Sequence, residues 1–450
     1  MSFLEALYRA KGKKQNIVIP DIKCVSPKDG DLMRGRNPVV VAKELIKAGA
    51  PVLSVVTEEK NFGGSTALLR EIAALGVPVL RKDFLTTKEE IQETKELGAS
   101  AVLLMYSCLE AEQLKNLYFE ARRIGLDVLV EAHTIEEFEQ AVSLGARLIG
   151  INNRDITILE TDDGTVNLTT TLAKNKPKDV FLISESSIKN ADEVRHAVDA
   201  GADAVLIGTA ILQSEHPAMY YSKLCRKTSV KLCGMMSKEN VEQCFMADVV
   251  GFVVNYPEPV PWNISEIKAK ELIAGVPKDC KTCVVTGGSS EEVIRLAKEL
   301  MPDYVQLHHR EDFETTEQIT KELKRFGVKV IRSIPLGAQA RCEQFGIADM
   351  DLLIDELASV GVSMVLLDSR TADNASSENL EIPDVDLSRL KNKKIPFMIA
   401  GGISAEKFPD IAFEDTVDYI DIMTGIELSP GIKSQEKIKK LFDKLEETYE

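Results

Sequence analysis

Long apolar runs and an excess of basic charge are both missing from this chain of 450 residues. No stretch approaches the roughly 18 consecutive apolar residues of a membrane-spanning helix. The lysines near the N-terminus follow a short apolar patch instead of preceding it, which is the wrong order for a secretory signal. A formal net charge of −16 disfavours general binding to nucleic acid or to acidic membranes. We therefore expect a cytoplasmic protein with neither a nucleic-acid nor a membrane partner.

Cysteines and histidines are too scattered to predict a disulfide framework or a metal site. The eight cysteines include one isolated CxxC, Cys280 to Cys283, and the five histidines lack the spacing of helical metal ligands. Burial at a strand edge is favoured for the CxxC over a metal or redox role. No GxxxxGK[ST] phosphate-binding motif is present. The sequence thus predicts a reduced protein with no metal and no cofactor.

Apolar strand-like runs alternate with amphipathic helical segments, and the whole pattern occurs twice. The runs are almost continuously apolar, as parallel strands buried on both faces require. In the first half they occupy 17–23, 52–58, 79–84, 101–107, 127–133, 148–154, 180–186 and 204–210. In the second half they occupy 230–234, 249–254, 282–287, 304–309, 328–334, 364–369, 397–402 and 419–425.

Eight strands with eight crossover helices in about 225 residues are typical of a closed (β/α)8 barrel. An open doubly wound sheet normally holds fewer strands per domain. The predicted fold class is therefore α/β, with two tandem (β/α)8 TIM barrels. The predicted domains are 1–224 and 229–450, and no Gly/Ser-rich or Pro-rich linker separates them.

The carboxyl ends of barrel strands are the expected place for chemistry. Five of the eight predicted strands in the first half end in charged residues, where a barrel built only for stability would carry apolar or small ones. A satisfied buried ion pair is an equally good interpretation of any single one. The first-half candidates are Asp21, Lys23, Lys82, Asp83, Glu131, Asn152, Arg154, Glu185, Ser186, Gly208 and Thr209.

The last two predicted strands of each half end in small or hydroxyl-bearing residues. Barrels bind phosphate at this place, because small neighbours let backbone N–H groups approach the anion. The segments are 183–188 and 206–210, then 399–404 and 422–427. An ordinary tight turn explains any one of them, but their occurrence in both halves favours two phosphate binders.

Further strand ends in the second half supply Cys233, His308, Arg332 and Asp368. Cys233 ends the first strand and Asp368 ends the sixth, so the two side chains are placed to face each other across the barrel mouth. A thiolate base and a carboxylic acid would suit a proton-transfer isomerisation. A small core residue is the commoner role for one cysteine in an apolar strand.

Taken together, these motifs resemble two enzyme families. Residues 17–215 resemble indole-3-glycerol phosphate synthase. The motifs that carry this resemblance are IKxxSP (22–27), RKDF (81–84), VEAH (130–133), GINNRDI (150–156), SES (184–186) and ADAVLIGTA (202–210). Residues from about 230 to 445 resemble phosphoribosylanthranilate isomerase. The motifs that carry this resemblance are KLCG (231–234), GFVV (251–254), DYVQLH (303–308), LLDS (366–369), IAGGIS (399–404) and TGIELSPGIK (424–433). The two families catalyse consecutive steps of tryptophan biosynthesis, and their fusion in this order is a known arrangement.

For the first half the resemblance implies ring closure of 1-(2-carboxyphenylamino)-1-deoxyribulose phosphate with loss of carbon dioxide and water. Lys82 is then the general acid, while Glu131 and Lys23 handle the proton transfers of dehydration. Asp21 is a further catalytic candidate, although the family usually has Glu there. The implied substrate-binding residues are Ser26, Asn152, Arg154, Glu185, Ser186, Gly208 and Thr209. No cofactor is implied, because the iminium formed on ring closure is the electron sink.

For the second half the resemblance implies an Amadori rearrangement of phosphoribosylanthranilate into the synthase's substrate. Asp368 would protonate the ribose ring oxygen, and Cys233 would remove the proton from the adjacent sugar carbon. The implied substrate-binding residues are His308, Gly401, Gly402, Thr424 and Gly425. The expected partners are small phosphorylated anthranilate or ribose molecules, and a monomer is the expected assembly.

The chain also departs from both families. Ser187 stands where the synthase usually has glycine, the isomerase's Ser-Pro-Arg after strand two is replaced by NYPEPVPW at 255–262, and the stretch 370–386 has no glycine. Three hypotheses are therefore open. The first is a bifunctional enzyme, and the second is a synthase with a C-terminal barrel that serves as a scaffold or phosphate-ligand module. The third is another sugar-phosphate enzyme or ligand sensor on the same two barrels.

Overall fold

The computed structural model describes residues 1–13, 15–153, 167–368, 395–407 and 417–449. They form two compact units, Met1–Arg226 and Lys227–Glu450. Each unit is a closed barrel of eight parallel strands, which confirms the predicted pair of TIM barrels. Within the described ranges, no helix is both long enough and apolar enough to cross a membrane.

The first barrel closes where its first strand pairs with both the second and the eighth. Its strands, β1 to β8, are Val18–Ile22, Leu53–Val56, Val79–Lys82, Ala101–Met105, Asp127–Ala132, Leu148–Asn152, Phe181–Glu185 and Ala204–Ile207. Its helices are Phe3–Ala10, Pro38–Lys47, Thr66–Ala73, Lys88–Glu96, Ala111–Arg123, Ile135–Ser143, Asn167–Leu172, Ala191–Asp199, Thr209–Gln213 and Pro217–Cys225. A short hairpin, Val25–Ser26 with Gly30–Asp31, follows β1.

Side chains alternate between two apolar layers along each strand of this barrel. In β1, Ile19 packs in the lumen cluster while Val18 and Ile22 pack in a cluster with the surrounding helices. The period of two therefore sends Asp21 and Lys23 towards the lumen as well. The helix Phe3–Ala10 packs on the amino-terminal ends of the strands, where the Leu4 amide donates to the Asp127 carboxylate at 2.9 Å. The helix therefore leaves the carboxyl ends of the strands, where the candidate residues lie, uncovered by itself.

The second barrel closes where its first strand pairs with both its second and its eighth. Its strands, β9 to β16, are Ser229–Leu232, Val249–Val254, Lys281–Thr286, Tyr304–Leu307, Lys329–Ile334, Met364–Asp368, Phe397–Ala400 and Tyr419–Ile422. Its described helices are Lys238–Glu242, Glu266–Ile273, Ser290–Leu300, Phe313–Lys324, Ala338–Phe345, Met350–Ser359 and Gln435–Tyr449. A two-residue strand, Asn263–Ile264, lies beside β10, and a hairpin joins Glu427–Ser429 to Ile432–Lys433.

Candidate active sites

Lys82, Glu131 and Glu185 converge at the mouth of the first barrel. The Lys82 Nζ lies 3.9 Å from Oε2 of Glu131, and both glutamates are fully buried. Among the described residues, no hydrogen-bond partner reaches the carboxylate oxygens of either glutamate. Burial and the neighbouring Glu131 carboxylate raise the pKa of Glu185 well above its usual value, while the Lys82 ammonium opposes that rise. The site therefore brings two buried carboxyl groups and one amino group together.

Gly150 leaves the space that the Glu185 carboxylate occupies. A Cβ at Gly150 would lie only 1.9 Å from Oε1 of Glu185. Gly150 pairs with Glu131 of β5 on one side and with Ile183 of β7 on the other. Glycine is therefore required here by a side chain that crosses the strand, and not by the backbone conformation.

Asp21 and Lys23 reach the same mouth from β1. The Ser54 hydroxyl donates to Oδ1 of Asp21 at 2.6 Å, in keeping with the pairing of Asp21 opposite Ser54 in the sheet. The Lys23 Nζ lies 5.5 Å from the centre of the Phe62 ring. Asp21, Lys23 and Lys82 all line one small pocket of about 20 Å³.

Two residues that received no role from the sequence contact this group. The Nε2 of His133 is 3.4 Å from Oε1 of Glu131, and its Nδ1 is 3.7 Å from Oε2 of Glu137. The Nδ2 of Asn153 donates to the Ser184 hydroxyl at 2.9 Å and to the Glu185 carbonyl at 2.8 Å. His133 lies inside the motif VEAH, two residues after Glu131, and Asn153 lies inside GINNRDI, directly after Asn152, so their position beside strand-end candidates was available as a signal.

The predicted phosphate segments of the first barrel lie at its mouth. Ser186 and Ser187 have φ values of 65° and 60°, a left-handed conformation that glycine adopts without strain. Gly208 packs against β1, since a Cβ there would lie 3.0 Å from the Asp21 carbonyl oxygen. Thr209 begins a short helix directly after Gly208.

The remaining first-barrel candidates are placed as follows. Asn152 is buried at the end of β6, next to Glu185 in the sheet. The Ser26 hydroxyl lies in the hairpin after β1 and donates to Asp29 at 3.0 Å. Asp83 accepts a hydrogen bond from Thr57 and lies 3.6 Å from Arg81, so it belongs to a polar cluster beside β3. Arg154 lies outside the described residues.

The mouth of the second barrel holds a cavity of about 510 Å³ that Cys233, His308 and Asp368 all line. The Nε2 of His308 is 3.4 Å from Oδ2 of Asp368, and its Nδ1 is 3.1 Å from Nε2 of Gln306. The predicted base and acid therefore do open onto one space. It is large enough for a drug-sized ligand.

A buried ion pair lies beside Cys233. Lys231 and Asp421 meet at 2.6 Å, and a Cβ at Gly251 would lie 2.8 Å from the Cys233 sulfur and 3.1 Å from Lys231 Cε. Burial raises the pKa of the Cys233 thiol, whereas the Lys231 ammonium opposes that rise. The second oxygen of Asp421, Oδ1, is buried and accepts no hydrogen bond from the described residues. The ammonium can stabilise a thiolate that forms during a reaction.

The second barrel's glycine-rich segments lie against one another. Gly401 and Gly402 have φ values of 108° and 57°, and Thr424–Ile426 forms a turn of 3₁₀ helix. Gly425 must be glycine, because a Cβ there would lie 1.9 Å from the Ile403 carbonyl oxygen. The two segments thus form one edge of the mouth, as phosphate binding would need. The stretch 370–386 lies outside the described residues.

Arg332 is fully buried on the outer face of β13 instead of facing the lumen. Its neighbours Ile331 and Ser333 are on the lumen side, in the lumen cluster and in the cavity wall respectively. Its Nη1 donates to the Leu307 carbonyl at 2.7 Å, and its Nη2 donates to the Glu311 carbonyl at 2.6 Å. Arg332 therefore supports the loop after β12.

Known proteins match the two barrels separately and together. The family described as indole-3-glycerol phosphate synthase matches residues 1–224, and N-(5'phosphoribosyl)anthranilate (PRA) isomerase matches residues 230–444. The indole-3-glycerol phosphate synthase of Pyrococcus furiosus is 45% identical over 211 residues, which cover 47% of this chain and 92% of the relative. The tryptophan biosynthesis protein TrpCF of Yersinia pestis is 29% identical over 440 residues, which cover 97% of this chain and 86% of the relative.

Solved structures also match. A phosphoribosyl anthranilate isomerase from Thermus thermophilus aligns at 25% identity with a TM-score of 0.40, over 48% of this chain and 98% of that one. The family matches confirm the resemblance that the motifs indicated. The chain belongs to the indole-3-glycerol phosphate synthase family through residues 1–224, and it carries a phosphoribosylanthranilate isomerase domain in tandem over residues 230–444.

Proposed function

We propose that the chain catalyses two consecutive steps of tryptophan biosynthesis. The second barrel isomerises phosphoribosylanthranilate, and the first barrel converts the product to indole-3-glycerol phosphate. The observation that carries this is the pairing of both family matches with a proton-transfer group at each barrel mouth, Lys82 with Glu131 and Cys233 with Asp368. A purely structural second barrel would have no need for an acid and a thiol that line one cavity.

In the first barrel, ring closure begins when the aromatic carbon that bears the carboxylate attacks the ribulose carbonyl. Lys82 donates its proton to the carbonyl oxygen as the carbon–carbon bond forms. Carbon dioxide then leaves, and its bonding electrons return to the ring. Glu131 and Lys23 carry the transfers of dehydration, in which the new hydroxyl leaves as water and the neighbouring carbon loses a proton. Glu185 orients the substrate, and its raised pKa favours the protonated form, which donates a hydrogen bond.

Asp21, Ser26, Asn152 and Arg154 are proposed to position the substrate around these groups. Asp21 is buried and accepts a hydrogen bond from the Ser54 hydroxyl. Its side chain, which is shorter than the glutamate usual in the family, is therefore held in one orientation. Ser186, Gly208 and Thr209 are proposed to receive the phosphate.

In the second barrel, Asp368 gives a proton to the ribose ring oxygen, and the ring opens to an imine. Cys233 then removes the proton from the adjacent carbon, and the resulting enol becomes the ketone of the product. Cys233 acts in this step as a thiolate, which takes up the proton and becomes a thiol. The Lys231 ammonium favours the thiolate before the transfer and so opposes the burial that raises the pKa of Cys233. His308 positions Asp368 at 3.4 Å. Gly401, Gly402, Thr424 and Gly425 are proposed to bind the phosphate.

The test is substitution of Lys82 with alanine in the full chain. Loss of a general acid should lower the kcat of indole-3-glycerol phosphate formation by about 100-fold or more. Isomerase turnover should stay at the wild-type value, because Lys82 belongs to the other barrel. Lys115→Ala removes an exposed lysine that only Glu112 approaches among the described residues, and it should leave both activities unchanged. Near-normal synthase turnover in Lys82→Ala would reject the assignment.

A further inference from the structure

The isomerase's substrate carries two anionic groups, a phosphate and a carboxylate on its aromatic ring. The two glycine-rich segments account for the phosphate. The carboxylate needs a separate partner, and a cation is the group that best binds it inside a cavity. The segment 255–262, which follows β10 where the family carries an arginine, contains no basic residue.

Arg310 is the one lysine or arginine among the residues that line the cavity of the second barrel. The other cations nearby are already paired. Lys231 lies 2.6 Å from Asp421, and Lys433 lies 2.7 Å from Glu427. Arg310 is exposed at the mouth, and no described residue forms an ion pair with it. Its guanidinium is therefore available to a ligand.

The loop that carries Arg310 is fixed on both sides. Arg332 binds the carbonyls of Leu307 and Glu311, which flank the loop. The Glu311 carboxylate in turn accepts from the Gly288 amide at 2.8 Å. A loop held in this way loses little backbone freedom when its guanidinium binds an anion.

The segment that lacks the arginine packs directly on this loop. The Tyr256 hydroxyl donates to the His308 carbonyl at 2.8 Å, and the Tyr256 ring meets the His309 ring edge to face at 5.9 Å. Glu258 also lines the cavity, and its Oε1 lies 3.4 Å from Nε2 of His309. Trp262, from the same segment, also lines the cavity. The segment thus supplies aromatic walls, and its neighbour supplies the cation.

On the basis of the isomerase function proposed above, we propose that Arg310 binds the anthranilate carboxylate of the substrate. The planar guanidinium presents two parallel N–H groups, which match the two oxygens of a carboxylate. The aromatic ring of the substrate then lies between the Tyr256 side and the Trp262 side of the cavity. The residue that recognises the aryl carboxylate then lies in the loop after β12, and not in the loop after β10 where the family carries its arginine.

The test compares two ligands on two variants of the full chain. The ligands are the reduced product analogue 1-(2-carboxyphenylamino)-1-deoxyribitol phosphate and its counterpart without the carboxylate. Trp262 is the chain's single tryptophan and lines this cavity, so quenching of its fluorescence reports binding to the second barrel alone. The wild-type protein should bind the carboxylated analogue about 10- to 100-fold more tightly, as expected for a charge-assisted pair.

Arg310→Gln should bind the two analogues within about 3-fold of each other, because the charge that discriminates them is gone. Its isomerase KM should rise by about 10- to 100-fold with a smaller change in kcat, and synthase kinetics should not change. Arg325→Gln, in which an exposed arginine that pairs with Glu322 is lost, is the matched control and should behave as wild type. Wild-type discrimination in Arg310→Gln would overturn the proposal. Absence of isomerase turnover in the wild type would instead reject the proposed function, while the Trp262 titration would still decide the role of Arg310.

Discussion

Replacing Gly150 with alanine tests whether the position of Glu185 governs the synthase reaction. The added Cβ would lie 1.9 Å from Oε1 of Glu185, 3.1 Å from its carboxyl carbon and 3.3 Å from a methyl of Leu129. Ordinary contact begins near 3.4 Å, so the carboxylate must move by about 1.5 Å. Glu185 is fully buried and cannot swing into solvent. The displacement is therefore taken up inside the active site.

The size of the effect follows from that displacement. A misplacement of about 1 Å in a catalytic constellation lowers turnover by about 100-fold. Overpacking of a buried site by one methyl group costs about 1–3 kcal/mol of folding stability. We therefore expect Gly150→Ala to fold, with a lower melting temperature for the first barrel, and to lose about 100-fold in synthase kcat.

Steady-state kinetics of both reactions on the full chain provide the measurement. Isomerase turnover is the internal control, since Gly150 lies in the other barrel. Gly12→Ala is the matched substitution, because a Cβ there would lie 3.5 Å from the Arg9 carbonyl oxygen, which is an ordinary contact distance. It should leave both activities unchanged. Wild-type synthase kcat in Gly150→Ala would show that Glu185 does not need its observed position.

Three further outcomes are expected. Cys233→Ser and Asp368→Asn should each remove isomerase turnover without unfolding the second barrel. A serine hydroxyl is too weak an acid to be deprotonated near neutral pH, and an asparagine amide delivers no proton. Turnover that survives both substitutions would assign the proton transfers to other residues. Glu185→Gln should stabilise the first barrel more at about pH 8 than at about pH 5. The raised pKa of Glu185 means that its stabilising contribution is present below the ordinary glutamate pKa and is lost as pH rises through the folded-state pKa; calorimetric midpoints that differ equally at both pH values would contradict this. Residues 1–226 expressed alone should be soluble and close the indole ring, since the unit Met1–Arg226 contains all eight strands of its barrel; a fragment that fails to fold would contradict an independent domain.

The strands and the residues at their ends could be predicted from local pattern. Apolar runs bounded by glycine and capping residues mark each strand, and a carboxylate or ammonium at the end of an apolar run stands out. Glu131 and Lys82 were identified in this way, and the structure brings them within 3.9 Å of each other. The period of two also placed Asp21 and Lys23 on one face.

Features that depend on distant parts of the chain could not be predicted in the same way. Lys231 and Asp421 are 190 residues apart, and only the closing of the barrel brings them together. Arg332 lies inside the run VKVIRSI (328–334), which has apolar residues on both faces, so the pattern did not show on which side its side chain lies. Gly150 is one of 27 glycines in the sequence, and its contact with Glu185 depends on a neighbouring strand. Arg310 follows the strand end by three positions, beyond the residues that the strand-end rule selects.

The most direct test of the central claim supplies the purified wild-type chain with phosphoribosylanthranilate alone. The account predicts that 1-(2-carboxyphenylamino)-1-deoxyribulose phosphate appears and is then converted to indole-3-glycerol phosphate, with release of one carbon dioxide per molecule and no added cofactor. The Lys82→Ala variant should stop at the first product. Conversion of the carboxyphenylamino compound but not of phosphoribosylanthranilate would contradict the bifunctional account, because the second barrel would then be without catalysis.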